Sequence, residues 1–252
     1  MGWVIILFRT IATWLIGVLA TIIGAIAALL IVVVSPSSPA VEKVIHWWSR
    51  MWLKASGTRL VVEGKENVDP GRSYVVVANH LSTLDIMVCF LAVDLPIRYL
   101  AKKELFRIPL LAQAMRAVGI IEVDRSARSA VHHVVNKQAK DLIASNRSLI
   151  IYAEGTRPRD GVMKPFKKGA FTMAIASQLP VLPLSIHGTY EAAVPGKPWF
   201  RGGTVTAIID PAIPTEGLDQ SGADALRDRV RGIIATRVSD QGGPVGSTDA
   251  QS

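Results

Sequence analysis

Between Arg9 and Glu42 the chain carries no charged residue, and the 25 residues from Thr10 to Val34 are almost wholly apolar. No other stretch restricts the fold so strongly. As one helix it would reach roughly 37 Å at 1.5 Å per residue, enough to cross a hydrocarbon core. A secretory signal, with Ser38-Pro39-Ala40 as its cleavage region, is the competing reading. The run is too long for an ordinary signal core, and only Arg9 supplies a preceding charge. The chain therefore divides into membrane-associated helices over 1–57, a domain over 58–239, and a tail from 240 to 252. That tail contains Gly and Ser with almost no apolar content and is expected to be disordered. Both a spanning helix and one dipping into a single leaflet fit the sequence.

After the break Ser35-Pro36-Ser37-Ser38-Pro39, a second helix is expected over Val41–Ala55. Val44, Trp47, Trp48, Met51 and Trp52 form a broad apolar face, with Lys43, Arg50 and Lys54 among them. Tryptophan at this density beside cations suits the boundary between hydrocarbon and headgroups, although a helix packed on the domain core would show a similar face. The cations Lys43, Arg50, Lys54 and Arg59 follow the apolar run, which places the domain on the cytoplasmic side of a cell membrane. The formal charge of +8 points to an anionic partner such as nucleic acid, a lipid surface or a phosphorylated substrate. Nucleic acid fits poorly, because only 6% of residues are aromatic and the tryptophans crowd around the apolar segment.

From about residue 58 the pattern alternates. Strands are expected over Arg59–Gly64, Tyr74–Ala78, Ile97–Ala101, Gly119–Val123, Ser148–Ala153, Val181–Ile186 and Thr204–Ile209. Helices are expected over Ser82–Leu91, Ile108–Val118, Ala127–Ser145, Ala170–Gln178 and Ala223–Arg237. Such alternation indicates an α/β fold, a sheet covered by helices on both faces with its chemistry in loops at strand ends. Cys89 is the only cysteine and lies in an apolar run, so neither a disulfide nor a cysteine-based zinc cluster can form within the chain.

At the tip of the second strand comes Asn79-His80-Leu81-Ser82-Thr83-Leu84-Asp85. A histidine leaving a buried strand, with an acid five positions on, can sit between a carboxylate that orients it and a hydroxyl that it deprotonates. Lys102, Arg125 and Arg157 each fall at a strand end, where separate loops can converge on a phosphate. Read singly, Lys102 and Arg125 could be solvated, and Arg157 could pair with Glu154 across a turn.

The sequence resembles the glycerolipid acyltransferases, specifically 1-acyl-sn-glycerol-3-phosphate acyltransferases of bacterial phospholipid synthesis. Four blocks match in the family's order: N-H-x-x-x-x-D at Asn79–Asp85, G-x-I-x-x-x-R at Gly119–Arg125, E-G-T-R at Glu154–Arg157, and Val181-Leu182-Pro183-Leu184. The resemblance implies a mixed, mostly parallel sheet with a membrane-docking helix pair before it. It implies His80 as general base on the free hydroxyl of lysophosphatidic acid, with Asp85 orienting the ring. Lys102, Arg125 and Arg157 would hold the acceptor phosphate, with Glu154, Gly155 and Thr156 in the same loop. The co-substrate would be acyl-CoA or acyl carrier protein, the other partner membrane lipid, with neither metal nor cofactor required. Asn79 and neighbouring backbone N–H groups are candidate helpers for the oxyanion. Glycerol-3-phosphate or another lyso-lipid remains an alternative acceptor, and a non-catalytic basic membrane-surface protein is the reading from a different class.

Glu122 departs from the family pattern, which carries an apolar or small residue there; strand alternation should point it away from Arg125. His132 and His133 are adjacent on a helix and face different ways, unsuited to one metal. His46 sits among the tryptophans as a headgroup contact, and His187 could line the cleft. Ser82 lacks the G-x-S-x-G surroundings of a nucleophile. Lys164, Lys167 and Lys168 could meet the nucleotide end of CoA or an acidic carrier protein, or belong to a solvated loop.

Overall fold

The computed structural model of the chain describes residues 2–123 and 147–246. Helix α1 (Trp3–Val34) and α2 (Ala40–Ala55) form an antiparallel pair before the first strand. The strands are β1 (Thr58–Glu63), β2 (Val75–Ala78), β3 (Ile97–Lys102), β4 (Ile121–Val123), β5 (Ser148–Tyr152), β6 (Val181–His187) and β7 (Gly203–Ile209). The domain's helices are α3 (Asp85–Val93), α4 (Leu111–Val118), α5 (Gly169–Ser177), the short α6 (Thr189–Ala192) and α7 (Ala223–Asp240). All seven expected strands are present, within two residues of their expected bounds. The helix expected over Ala127–Ser145, with His132 and His133, lies outside the described residues.

One seven-stranded sheet runs in the order β1-β7-β6-β2-β5-β3-β4. β2, β3, β4, β5 and β6 are parallel, β7 is antiparallel to β6, and β1 is parallel to β7. The sheet is thus mixed and mostly parallel, as expected. Its central strands are Val- and Ile-rich because both faces are covered. Val76 and Ala78 of β2 point into a core shared with α2 and α3, while Val75 and Val77 point the other way, towards α5 and α7.

The parallel arrangement brings the ends of β2, β3 and β5 to one edge. With register Ala78↔Tyr152 between β2 and β5, the loops that begin at Asn79 and Ala153 start side by side. Lys102 ends β3 on the far side of β5, roughly 10 Å from β2 at two strand spacings.

Helix α1 is, among the described residues, the one helix long and apolar enough to cross a membrane. It does not project from the domain. The Thr10 hydroxyl accepts from Phe200 N–H at 3.0 Å, Thr13 donates to Ala55 O at 2.9 Å, and the Trp14 indole donates to Pro198 O at 3.1 Å. Farther along, Ala28, Ile31 and Val32 join the core beside Val118. Its small residues make the close approach possible: a Cβ on Gly17 would lie within 2.6 Å of the Trp52 ring. The opposite face, including Phe8, Leu15, Leu19, Ile23 and Leu30, is open.

Two expectations for this region change. Trp48 and Trp52 turn inward, and both indoles donate to the Thr21 hydroxyl, at 2.9 and 3.3 Å. A buried indole N–H needs an acceptor, and Thr21 on α1 supplies it; of the three tryptophans only Trp47 stays exposed. His46 faces Asp94 at 3.7 Å, beside the domain. Farther inside, Arg98 is fully buried and its guanidinium is paired with both carboxylate oxygens of Glu42, while also donating to Ile97 O and Val118 O. This fork fastens α2 to β3 and α4.

At the C-terminal end, α7 runs to Asp240, and residues 241–246, expected within a loose tail, are fastened to the domain. Met163 N–H donates to Pro244 O at 3.2 Å, and Gly246 N–H donates to Met163 O at 3.0 Å.

Candidate active site

β2 is a Val-Val-Val-Ala run buried on both faces, and the chain must leave it without orphaning backbone polar groups. Asn79 solves this with its side chain. The amide donates to Ile186 O and accepts from Ile186 N–H, both at 2.8 Å, adding a side-chain rung to β6 where the strand ends. The amide is tied to β6 at both ends and Asn79 is fully buried, which turns its side chain away from an oxyanion in the cleft.

His80 follows at the mouth. Its Nδ1 lies 2.8 Å from Asp85 Oδ2. The same carboxylate oxygen accepts from Leu81 N–H and Ser82 N–H, each at 2.7 Å. Asp85 is the first residue of α3, where unsatisfied N–H groups favour a carboxylate, and it is fully buried. A carboxylate oxygen only accepts, so Nδ1 carries the ring proton and Nε2 is left with its lone pair. The five-residue spacing works because the turn folds Asp85 back beneath His80.

Glu154 is placed differently from its expected part in a phosphate loop. It is 2% exposed; Oε1 accepts from His80 N–H at 2.7 Å and Oε2 from Lys164 N–H at 2.8 Å. It therefore clamps the His80 turn to the loop before α5 and has no oxygen turned to an anionic ligand. Burial pushes its pKa up to about 7, against the opposing pull of those two N–H groups.

The rest of the Glu-Gly-Thr-Arg turn faces outward. Gly155 sits at φ +74°, a conformation that strains any residue with a side chain, and the Lys167 ammonium nitrogen lies 2.9 Å from where a Cβ would be. Thr156 is exposed. Arg157 reaches over the histidine loop, its Nη1 donating to the Thr83 hydroxyl. His80, Asp85 and Arg157 are thereby brought together, with Gly155 and Thr156 beside them. Lys102 is exposed on the same edge; Arg125 lies outside the described residues.

The other candidates fall away from the site. His187 points to the opposite side of the sheet, where a Cβ on Gly243 would lie 3.2 Å from its Nδ1. Ser82 is buried and donates to Ala193 O at 2.7 Å, a structural tie. Lys168 pairs with Asp224 at 2.8 Å. Glu122 is turned outward towards Arg116, at 3.4 Å, as alternation requires. Among the described residues, no group of three or more His, Cys, Asp or Glu side chains is placed to hold a metal ion.

Sequence reasoning missed the floor of the site. The Tyr152 ring lies parallel to the His80 imidazole, with centroids 3.8 Å apart and planes 7° apart. Beneath it are Tyr99 and Cys89; burial raises both phenols and pushes the Cys89 thiol up to about 12, so that sulfur stays protonated. The only signal was the position of Tyr152, last in its strand and two residues before Glu154.

This arrangement can remove a proton from a hydroxyl at Nε2 and stabilise the resulting imidazolium through Asp85, with cations at hand for an anionic substrate. Comparison with known proteins points the same way. Residues 59–187 match the family model described as acyltransferase. Human 1-acyl-sn-glycerol-3-phosphate acyltransferase alpha is 32% identical over 180 residues, which span 71% of this chain and 64% of the human protein. The human beta protein is 31% identical over 193 residues, 77% of this chain and 69% of its own length. Among solved structures, the crystal structure of the 1-acyl-sn-glycerophosphate (LPA) acyltransferase PlsC from Thermotoga maritima superposes with a TM-score of 0.84. It is 26% identical, and the match covers 98% of this chain and 100% of that one.

Proposed function

Since the chain belongs to the acyltransferase family, we propose that it transfers an acyl group from a thioester to the free hydroxyl of lysophosphatidic acid, giving phosphatidic acid. The observation that carries this is the 2.8 Å contact between His80 Nδ1 and Asp85 Oδ2 at the open edge of the sheet, which leaves Nε2 as the base. Nε2 takes the hydroxyl proton as the acceptor oxygen attacks the thioester carbonyl. The tetrahedral oxyanion collapses, the C–S bond breaks, and the departing thiolate recovers the proton from the imidazolium. A thioester is reactive enough for this to need no covalent enzyme intermediate. Arg157, with Lys102 and Arg125, holds the acceptor phosphate; a planar guanidinium can grip two phosphate oxygens at once.

The open apolar face of α1 supports a lipid acceptor over water-soluble glycerol-3-phosphate. Because its other face is fastened to the domain from Thr10 to Val32, α1 lies within one leaflet and holds the site at the membrane surface. The cations after it favour the cytoplasmic side. The acyl donor is CoA-linked or carrier-protein-linked. The test supplies purified protein in liposomes with labelled palmitoyl-CoA or palmitoyl-carrier protein, and with lysophosphatidic acid or glycerol-3-phosphate in separate reactions. Labelled phosphatidic acid from lysophosphatidic acid supports the reading; label only on glycerol-3-phosphate, or on neither acceptor, contradicts it.

A further inference from the structure

Asp85 holds one edge of the His80 ring and Glu154 holds the backbone N–H, but neither fixes the ring plane. A histidine tied at Nδ1 alone can still swing about that bond, and Nε2 would sweep across the cleft. The face-to-face ring of Tyr152 closes off that motion.

Tyr152 is itself held from below. Its hydroxyl is 3.4 Å from the Tyr99 hydroxyl and 3.6 Å from Cys89 Sγ. Tyr99 donates in turn to Ile86 O at 2.9 Å. Ile86 directly follows Asp85 on α3, so the frame closes on itself: Asp85 grips the edge of the imidazole, and the same helix turn anchors the aromatic pair beneath its face.

We propose that Tyr152 is the positioning residue that sets the plane of the His80 imidazole and, through its ring face, favours the imidazolium formed when Nε2 takes the acceptor's proton. An aromatic face attracts a cation, and the attraction grows where water is excluded. It acts in the proton-transfer step and leaves substrate binding untouched. The proposal rests on the acyl-transfer reading for its kinetic part, while the stacking itself can be tested without turnover.

Two variants separate ring from hydroxyl. Tyr152→Phe keeps the face over His80, and the Tyr99 ring, 5.7 Å away between centroids, still backs it without the hydroxyl contacts, so kcat should stay within about twofold of wild type. Tyr152→Leu keeps apolar bulk without a π-face, and should lower kcat about tenfold while both KM values stay within about twofold. Thermal melting of each variant reports whether the fold survives. In parallel, NMR of histidine-labelled protein in detergent reads the ring protons of His80, identified by their loss in His80→Ala. Wild type and Tyr152→Phe should show them shifted upfield by the ring current, and Tyr152→Leu should not. Three results would each overturn the proposal: a folded Leu variant with unchanged kcat, a loss appearing in KM, or a loss that Phe shares. If wild type itself transfers no acyl group, the acyl-transfer reading fails, and the NMR comparison still decides the stacking: an unshifted His80 ring in wild type overturns it.

Discussion

Glu154→Gln holds the buried side chain in a neutral form at every pH. In the native protein its oxygens accept from His80 N–H at 2.7 Å and Lys164 N–H at 2.8 Å. A carboxamide, with one carbonyl oxygen and an NH2 group, stands in for the protonated acid, which has one carbonyl oxygen and an O–H. The wild-type carboxylate carries a burden of its own, because burial raises its pKa from 4.5 to about 7. Between those values the native state binds more protons than the unfolded chain, so stability falls as pH rises through that window. At 1.36 kcal/mol per pKa unit, the displacement from 4.5 to about 7 removes about 3 kcal/mol of stability above pH 7 and nothing below 4.5. The carboxamide does not titrate. The variant should therefore lie near wild type at pH 5, where native Glu154 is protonated, and gain about 2–3 kcal/mol relative to it by pH 8. Denaturant unfolding in detergent at the two pH values measures the difference. An offset that does not change with pH would refute the raised pKa.

Asp85→Asn removes the charge opposite the imidazolium while its amide oxygen can keep the place of Oδ2 against Leu81 N–H, Ser82 N–H and Nδ1; kcat should drop about 10²–10⁴-fold in the acyl-transfer assay, with KM little changed. Glu42→Ala leaves the fully buried Arg98 without its carboxylate, which should cost about 3–5 kcal/mol and lower the melting midpoint by roughly 6–20 °C. Gly155→Ala forces a side chain onto φ +74° and into Lys167, so it should cost about 1 kcal/mol or more, and move the Arg157 turn. The acceptor's KM should rise, with the donor's unchanged.

Much of the architecture was legible because burial writes directly into composition. β2 is covered on both faces and reads as an unbroken apolar run, β5 and β6 as mostly apolar ones, and the His80–Asp85 spacing marks a turn that folds back on itself. What the sequence left dark are contacts between distant segments. The Arg98–Glu42 fork joins residues 56 positions apart, and nothing local distinguishes Glu42 from a solvated helix residue. Trp48 and Trp52 carry the composition of an interfacial helix, yet Thr21 gives their indoles acceptors inside the helix pair. Glu154 reads as a loop acid because the two N–H groups that bury it belong to His80 and Lys164 in other segments. Tyr152 looks like an ordinary strand residue until the β2–β5 register sets it beside Ala78, two residues before His80.

The most direct test of the account is acyl transfer to lysophosphatidic acid by wild type and His80→Ala, assayed side by side in liposomes with matched melting curves and vesicle binding. The backbone N–H of His80, which donates to Glu154 Oε1, and the Leu81 and Ser82 N–H groups, which donate to Asp85, remain in the variant, so it should fold and bind vesicles as wild type does. Loss of phosphatidic acid formation to the uncatalysed background is the predicted result. Turnover surviving in the folded, membrane-bound variant would contradict the assignment of His80 as the base.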